Sequence, residues 1–313
     1  MRVVLAPMEG VADASMRQLL SSCGGYDWCV TEFIRVTDVA LPDKVFYKYC
    51  PELHEKGLID GHTPVRVQLL GQHPSPMAEN ALRAIELGSH GLDLNFGCPS
   101  NTVTGSCGGA SMLKAPQSIF DVVSEVRKAV PKQHTVSAKI RLGWENKDDC
   151  FDIVQAVQEA GANELTIHAR TKQDGYKAPA HWHYIKQVKQ RFSIPIIANG
   201  EVWDRESYLQ CKEASACDDV MIGRGALTIP NLAKVVRGEE EPLAWSAVIE
   251  LLIRYSQHEI TSEKAKYYQS RVKQWLRYLS GYYTEADDLF RNIRVLKDTN
   301  SIVKQIRLQQ CKD

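Results

Sequence analysis

The sequence predicts an α/β fold, a (β/α)8 barrel of the TIM type followed by a small all-helical C-terminal domain. Three observations point there. Eight short, apolar, β-branched segments recur through the first three quarters of the chain, segments with helical spacing lie between most of them, and strand signals stop after Gly225.

The eight strand segments are Val3 to Pro7, Trp28 to Phe33, Val65 to Leu70, Leu92 to Phe96, Val136 to Leu142, Glu164 to His168, Pro195 to Asn199 and Asp219 to Gly223. Helical spacing marks Met77 to Leu87, Ile119 to Val130, Ile153 to Ala160 and Tyr184 to Phe192. Alternation of this kind makes a parallel sheet. The strands read as nearly continuous apolar runs because both of their faces are covered. Several end in polar residues, Gln68, Asn95, Lys139, His168, Asn199 and Arg224. In a closed barrel these ends share the C-terminal rim, where such barrels build their sites. An open doubly wound sheet is the competing architecture, but no Gly-x-Gly-x-x-Gly follows the first strand.

A barrel takes about 250 residues, so a chain of 313 leaves room for one appendage. The acidic stretch Gly238 to Pro242 marks the change, giving a barrel over 1–240 and a helical domain over 241–313. Within the latter, Tyr268, Val272, Trp275, Leu276 and Leu279 fall on one face of a helix. With 44% hydrophobic and 24% charged residues the chain can bury a core, which excludes a disordered class. No apolar run approaches the roughly 20 residues of a membrane span, and the first residues are too briefly apolar for a signal peptide; the expectation is a cytoplasmic protein. Nine scattered cysteines without a Cys-x-x-Cys pair argue against a disulfide framework and against a zinc site.

Net charge is zero but unevenly spread. Residues 263–313 hold 11 Lys/Arg against 6 Asp/Glu, net +5, and the rest of the chain carries −5. Such a tail meets a polyanion or is an ordinary solvated helical surface; charge alone leaves both open.

The strongest local signal for chemistry is Asp93-Leu94-Asn95-Phe96-Gly97-Cys98-Pro99-Ser100, a strand that breaks into a Gly-Cys-Pro turn and leads to the glycine-rich 105–110. A thiol on such a loop is presented to a ligand. Its ordinary pKa of about 8.5 lets it keep a proton near neutral pH and give it to a developing carbanion. A nucleophile would need an activating base close by; His168 lies two strands away, so the acid role is favoured, with a buried structural cysteine as the alternative. Lys139 and Arg141 interrupt an apolar strand, and a buried cation needs a phosphate, a carboxylate, an electron-rich ring or a structural ion pair. His168, ending its strand, is a ligand group or a satisfied core residue. Asn199-Gly200-Glu201 and Gly223-Arg224-Gly225 close the seventh and eighth strands, where barrels often bind phosphate.

Taken in order, Ala6-Pro7-Met8-Glu9-Gly10-Val11, Val67-Gln68-Leu69, Asp93-Leu94-Asn95 with Gly97-Cys98-Pro99, Lys139-Ile140-Arg141, His168-Ala169-Arg170-Thr171, Asn199-Gly200-Glu201 and Gly223-Arg224-Gly225 resemble the tRNA-dihydrouridine synthase family. The tail, through Arg271 to Leu276 and Tyr278, together with Arg35, resembles the bacterial C-type subfamily, which acts on position 16 of the D-loop. The resemblance implies an FMN-dependent oxidoreductase that uses NADPH or NADH to reduce that uridine in tRNA to 5,6-dihydrouridine. It implies FMN binding by Pro7, Met8, Glu9, Gln68, Lys139, His168, Asn199, Gly200, Glu201, Gly223 and Arg224, with hydride passing to C6 and Cys98 protonating C5. It further implies tRNA contacts from Arg35, Asn95, Tyr176, Arg271, Lys273 and Tyr278, and a monomer with no metal and no membrane attachment. Cys107 departs from the expected pattern, since it offers a second thiol that oxidation could join to Cys98.

Overall fold

A computed structural model describes residues 1–105, 108–261 and 265–310. All eight expected strands form, each within a residue or two of its expected ends: β1 (Val3–Leu5), β2 (Trp28–Arg35), then, after an unforeseen two-residue β3 (Leu58–Ile59), β4 (Thr63–Leu70), β5 (Leu92–Asn95), β6 (Val136–Arg141), β7 (Glu164–His168), β8 (Ile196–Asn199) and β9 (Val220–Ile222). Every neighbouring pair in the order β2-β1-β9-β8-β7-β6-β5-β4 is parallel, and β2 pairs back with β4 to close the barrel. The short β3 is antiparallel to the start of β4 and lies outside the ring.

Helices α1 (Ala14–Ser22), α2 (Asp43–Tyr49), α3 (Pro74–Glu86), α4 (Asn101–Thr104), α5 (Pro116–Ala129), α6 (Cys150–Glu159), α7 (Trp182–Arg191), α8 (Arg205–Ser215), α9 (Arg224–Thr228) and α10 (Leu232–Arg237) surround it. Start signals are chemical: the Asp13 side chain accepts the Met16 N–H to cap α1, and Asp204 with Ser207 makes a capping box on α8. The apolar stripe of α5, Ile119, Val122, Val123 and Val126, is wholly buried against the ring.

The barrel interior is divided. Val4, Ala6, Trp28, Val30, Ile197 and Met221 fill it with an apolar cluster on the β1, β2, β8 and β9 side. At the N-terminal end, Glu164 pairs with both Arg2 and Arg66, and the Arg66 guanidinium lies 4.1 Å from the Trp28 ring centroid, sealing that mouth. Polar side chains from β4 to β8 occupy the remainder, so the open end is the C-terminal rim.

Strand signals end where expected. Helices α11 (Trp245–Thr261), α12 (Tyr268–Leu279), α13 (Thr284–Ile293) and α14 (Thr299–Arg307) follow, and the expected face of α12 is buried from Tyr268 to Leu279. The Trp275 indole N–H donates to the Leu227 carbonyl at 3.2 Å, and the Arg271 guanidinium meets the Asp13 carboxylate at 2.8 Å; the helical region therefore sits on α9 and on the start of α1. No described helix is long and apolar enough to cross a membrane.

Candidate active site

A cavity of about 540 Å³ opens at the C-terminal rim. Pro7, Met8, Glu9, Gln68, Asn95, Cys98, Lys139, His168, Tyr176, Asn199, Gly200, Glu201, Gly223, Arg224 and Tyr278 all line it, brought together from seven strands' ends and from α12. Arg35, Arg271 and Lys273 do not. Arg35 is exposed beside the Thr102 carbonyl at 3.4 Å, Lys273 donates to the Leu296 carbonyl at 2.6 Å, and Arg271 is held between Asp13, Glu259 and the Tyr255 hydroxyl.

The Cys98 loop is held by a relay of side chains at the cavity floor. Ser137 donates to Asp93 Oδ1 at 2.7 Å, Gln68 Nε2 to Asp93 Oδ2 at 2.6 Å, and Asn95 Nδ2 to Gln68 Oε1 at 2.8 Å. Asn95 Oδ1 then accepts the Gly97 and Cys98 backbone N–H groups at 3.0 and 2.9 Å. Strand register makes this possible, since Gln68 is opposite Asp93, and Asp93 and Asn95 are opposite Ser137 and Lys139. Arg141 completes the support: its guanidinium donates to the Gly97, Thr171 and Gly175 carbonyls at 2.8 to 3.0 Å, so it ties the thiol loop to the loop after β7. The structure thus answers one question about Arg141, which is a brace.

The Cys98 thiol is half-buried and faces the cavity. Burial pushes its pKa up, with Glu9 adding to the rise, while the Ser100 backbone N–H, Arg141 and Lys139 oppose it. The group therefore holds its proton at neutral pH, which suits an acid and not a nucleophile. Cys107, the other thiol considered, lies outside the described residues.

Lys139 gives the cavity its unbalanced charge. Its Nζ donates to Asn199 Oδ1 at 3.1 Å, and Asn199 in turn donates to the Met221 carbonyl. No carboxylate lies within ion-pairing distance of it among the described residues, so the structural ion pair considered above is not formed. Burial, reinforced by Arg141, lowers its pKa to about 8. Burial and the neighbouring guanidinium of Arg170 lower that of Arg224 as well. For both groups the largest cause is burial, and Asp93 and Glu201 respectively oppose the fall without cancelling it.

His168 is buried, and burial with Arg141, Lys139, Arg170 and Arg224 around it drives its pKa well below the ordinary value. It is a neutral imidazole. Arg170 Nη1 lies 3.2 Å from Nε2, and because a guanidinium can only donate, Nε2 accepts and Nδ1 carries the proton. Gly200 has φ +115°, and a Cβ there would meet His168 Cδ2 at 2.9 Å, so both conformation and space demand glycine. Next to it Glu201 holds a left-handed φ of +57°, fixed by an ion pair with the fully buried Arg170 at 2.6 Å. Tyr176, exposed at the mouth, carries the Arg141 and Arg224 guanidinium groups 5.2 and 4.9 Å from its ring centroid.

Four contributors escaped the sequence reading in this role: Asp93, Arg170, Trp182, which donates to the Gly200 carbonyl at 2.9 Å, and Trp203, which lines the cavity 5.0 Å from Arg224. Asp93 carried a signal, since it shares parity with Asn95 on one strand face. The pairing of Arg170 with Glu201 had none, because it joins two loops.

The rim cavity can be set beside known proteins. The family model described as dihydrouridine synthase matches residues 4–312. This chain belongs to the dihydrouridine synthase family. It is 53% identical over 310 residues to a tRNA-dihydrouridine(16) synthase of Shewanella oneidensis, covering 99% of this chain and 98% of the relative. Relatives of the same name from Vibrio parahaemolyticus and Escherichia coli O157:H7 are 54% and 51% identical, each over 98% of this chain and 96% and 98% of their own. Among solved structures, TcOYE with pHBA superposes with a TM-score of 0.55 at 13% identity over 77% of this chain and 90% of that one. A 2-naphthoyl-CoA reductase complex does so at 0.57 and 11%, over 76% and 50%. These two similarities concern the barrel fold.

Proposed function

We propose that this dihydrouridine synthase family member reduces uridine 16 in the D-loop of tRNA to 5,6-dihydrouridine, with FMN as cofactor and NADPH, or NADH, as the source of reducing equivalents. The observation that carries the reading is the meeting, in one rim cavity, of a proton-holding Cys98 thiol with an ammonium, Lys139, that has no carboxylate in ion-pairing distance among the described residues.

The residues present suit a flavin phosphate ester. Lys139 and Arg224 supply positive charge with no carboxylate in ion-pairing distance among the described residues, and the Gly223 to Gly225 turn offers backbone N–H groups. Pro7, Met8, Glu9, Gln68, His168, Asn199, Gly200 and Glu201 would complete the cradle. When bound, FMN supplies the hydride that goes to C6 of the uracil. Cys98 delivers the proton to C5, and its raised pKa keeps that proton available at neutral pH. Asn95 fixes the thiol loop from beneath. His168, uncharged, adds no further repulsion to a pocket already rich in cations.

A uracil stacked inside folded RNA cannot reach the floor of a barrel, so the base is extruded at a cost of a few kcal/mol. Tyr176, exposed at the mouth, and Tyr278, from α12, both line the cavity, which supports their assignment as contacts of the extruded base. We assign residues 241–313 to a helical domain for tRNA recognition, with Arg35, Asn95, Arg271 and Lys273 as further contacts, the last two acting from a framework they also hold together. The protein is proposed to work as a cytoplasmic monomer without a metal.

The test is direct. Purified protein should show a flavin absorption spectrum, oxidise NADPH, and place dihydrouridine at position 16 in tRNA from a strain lacking the gene. Reduction of free uracil with tRNA left untouched would overturn the proposal.

A further inference from the structure

On the rim, away from the cavity lining, two ammonium groups approach one indole. Lys114 Nζ lies 3.8 Å and Lys172 Nζ 4.4 Å from the Trp144 ring centroid. The three residues come from the connections after β5, β6 and β7, all on the C-terminal side of the barrel. The arrangement is held by backbone, since the Lys172 N–H donates to the Gly143 carbonyl at 2.9 Å and the Gln173 N–H to the Trp144 carbonyl at 3.0 Å.

Neither ammonium has a carboxylate within 4 Å among the described residues. Of the acids in the same loops, Asp174 is 3.7 Å from Lys147, Asp149 accepts from Asn146, and Glu145 makes no ion pair within 4 Å among the described residues. An exposed cation over an indole gains about 0.5–1 kcal/mol. Two on one ring repel each other, and a bridging anion removes that repulsion.

Position says which anion. Strand β6, which leads to Trp144, is the fourth neighbour of β1 in either direction round the eight-stranded ring. The helical region rests on the other side, against α1 and α9, through Arg271 to Asp13 and Trp275 to Leu227. An RNA that covers the mouth while resting on the helices passes over the Lys114, Trp144 and Lys172 ridge.

We propose that Lys114 and Lys172, spaced by Trp144, bind backbone phosphate of the substrate RNA on the side of the barrel mouth opposite the helical region. The inference rests on the activity proposed above. Because the ridge is preformed, its contact is made equally in ground and transition states and appears in affinity, not in turnover.

The test uses the full-length holoprotein and labelled tRNA from a strain lacking the gene, with binding read by fluorescence anisotropy at several salt concentrations. The K114A/K172A variant should bind about tenfold more weakly near 0.1 M salt, and its log–log salt slope should flatten by about one to two contacts. Flavin content and kcat at saturating tRNA should stay at wild-type levels. K114R/K172R should bind like wild type, because the charge is kept. Unchanged affinity and slope in the alanine pair would overturn the inference, and so would equal losses in the alanine and arginine pairs. Anisotropy needs no turnover, so a wild-type protein that binds tRNA without reducing it overturns the activity while the lysine comparison still decides the ridge.

Discussion

The side-chain oxygen of Asn95 accepts the backbone N–H of Cys98 at 2.9 Å, while the amide nitrogen of the same side chain donates into the buried Gln68 and Asp93 relay. The thiol is thus set by side chains of the cavity floor, with Asn95 and Gln68 in the lining and Asp93 buried behind them. Asn95→Ala leaves two backbone N–H groups without their acceptor, each a loss of about 1 kcal/mol. We expect kcat on tRNA to fall about 10- to 100-fold with flavin content unchanged. Turnover and the visible flavin absorption, measured on the same sample, check this.

Cys98→Ala removes the proposed proton donor. Turnover should drop by about 10²- to 10⁴-fold, the usual worth of general acid catalysis, with flavin retained. The donor acts only when protonated, so wild-type kcat should stay level through neutral pH and fall as pH rises through the thiol's pKa. Burial raises that pKa, so the fall should come at higher pH than for an ordinary thiol, near 8.5. A decline centred below pH 8 in single-turnover rates would remove Cys98 from the acid role.

Lys139 titrates near 8 in the protein without an anion beside it, against about 10.4 for a free lysine. An anionic cofactor raises it again. Binding FMN between pH 8 and 10 should therefore take up a proton, and affinity should weaken as pH climbs through that window. Calorimetry of FMN binding at pH 9 in two buffers of different ionisation enthalpy measures the uptake, which Lys139→Met should abolish.

Gly200→Ala places a methyl 2.9 Å from His168 Cδ2 at a φ of +115°, a conformation that costs other residues about 1–3 kcal/mol. The His168 ring must shift, and with it one wall of the cavity. We expect protein that remains folded by circular dichroism but is purified with well under half its normal flavin.

Arg271 is held by Asp13 and Glu259, and Glu259 is fully buried. Removing the guanidinium takes a charged partner from a fully buried carboxylate and from Asp13, and breaking ion pairs at a buried site costs about 3 kcal/mol. Arg271→Ala should lower the denaturant midpoint clearly, whereas Lys273→Ala, which loses one hydrogen bond to the Leu296 carbonyl, should lower it far less. Equal midpoints for Arg271→Ala and wild type would assign that residue to RNA contact alone.

The strands were legible because each is an apolar run buried on both faces, and that pattern survives without knowledge of its neighbours. The two-residue β3 was not, since Leu58 and Ile59 are defined by their pairing with Pro64 and Thr63 and not by any periodicity of their own. Candidate site residues were legible where polarity interrupts a strand, as at Gln68, Asn95 and Lys139. Partnerships were not. That Asn95 faces downward into a relay, that Arg141 braces two loops, and that Arg170 reaches Glu201 all depend on register between strands distant in sequence. Arg271 shows the reverse limit, because a basic residue on a basic tail reads as a surface charge until its acidic partners are seen.

The bond from the Trp275 indole to the Leu227 carbonyl has a mechanical meaning. Leu227 stands three residues past Arg224 in a single short helix, so one hydrogen bond fastens the far helices to the same turn that carries the guanidinium at the cavity wall. Whatever seats the outer helices therefore also seats that wall.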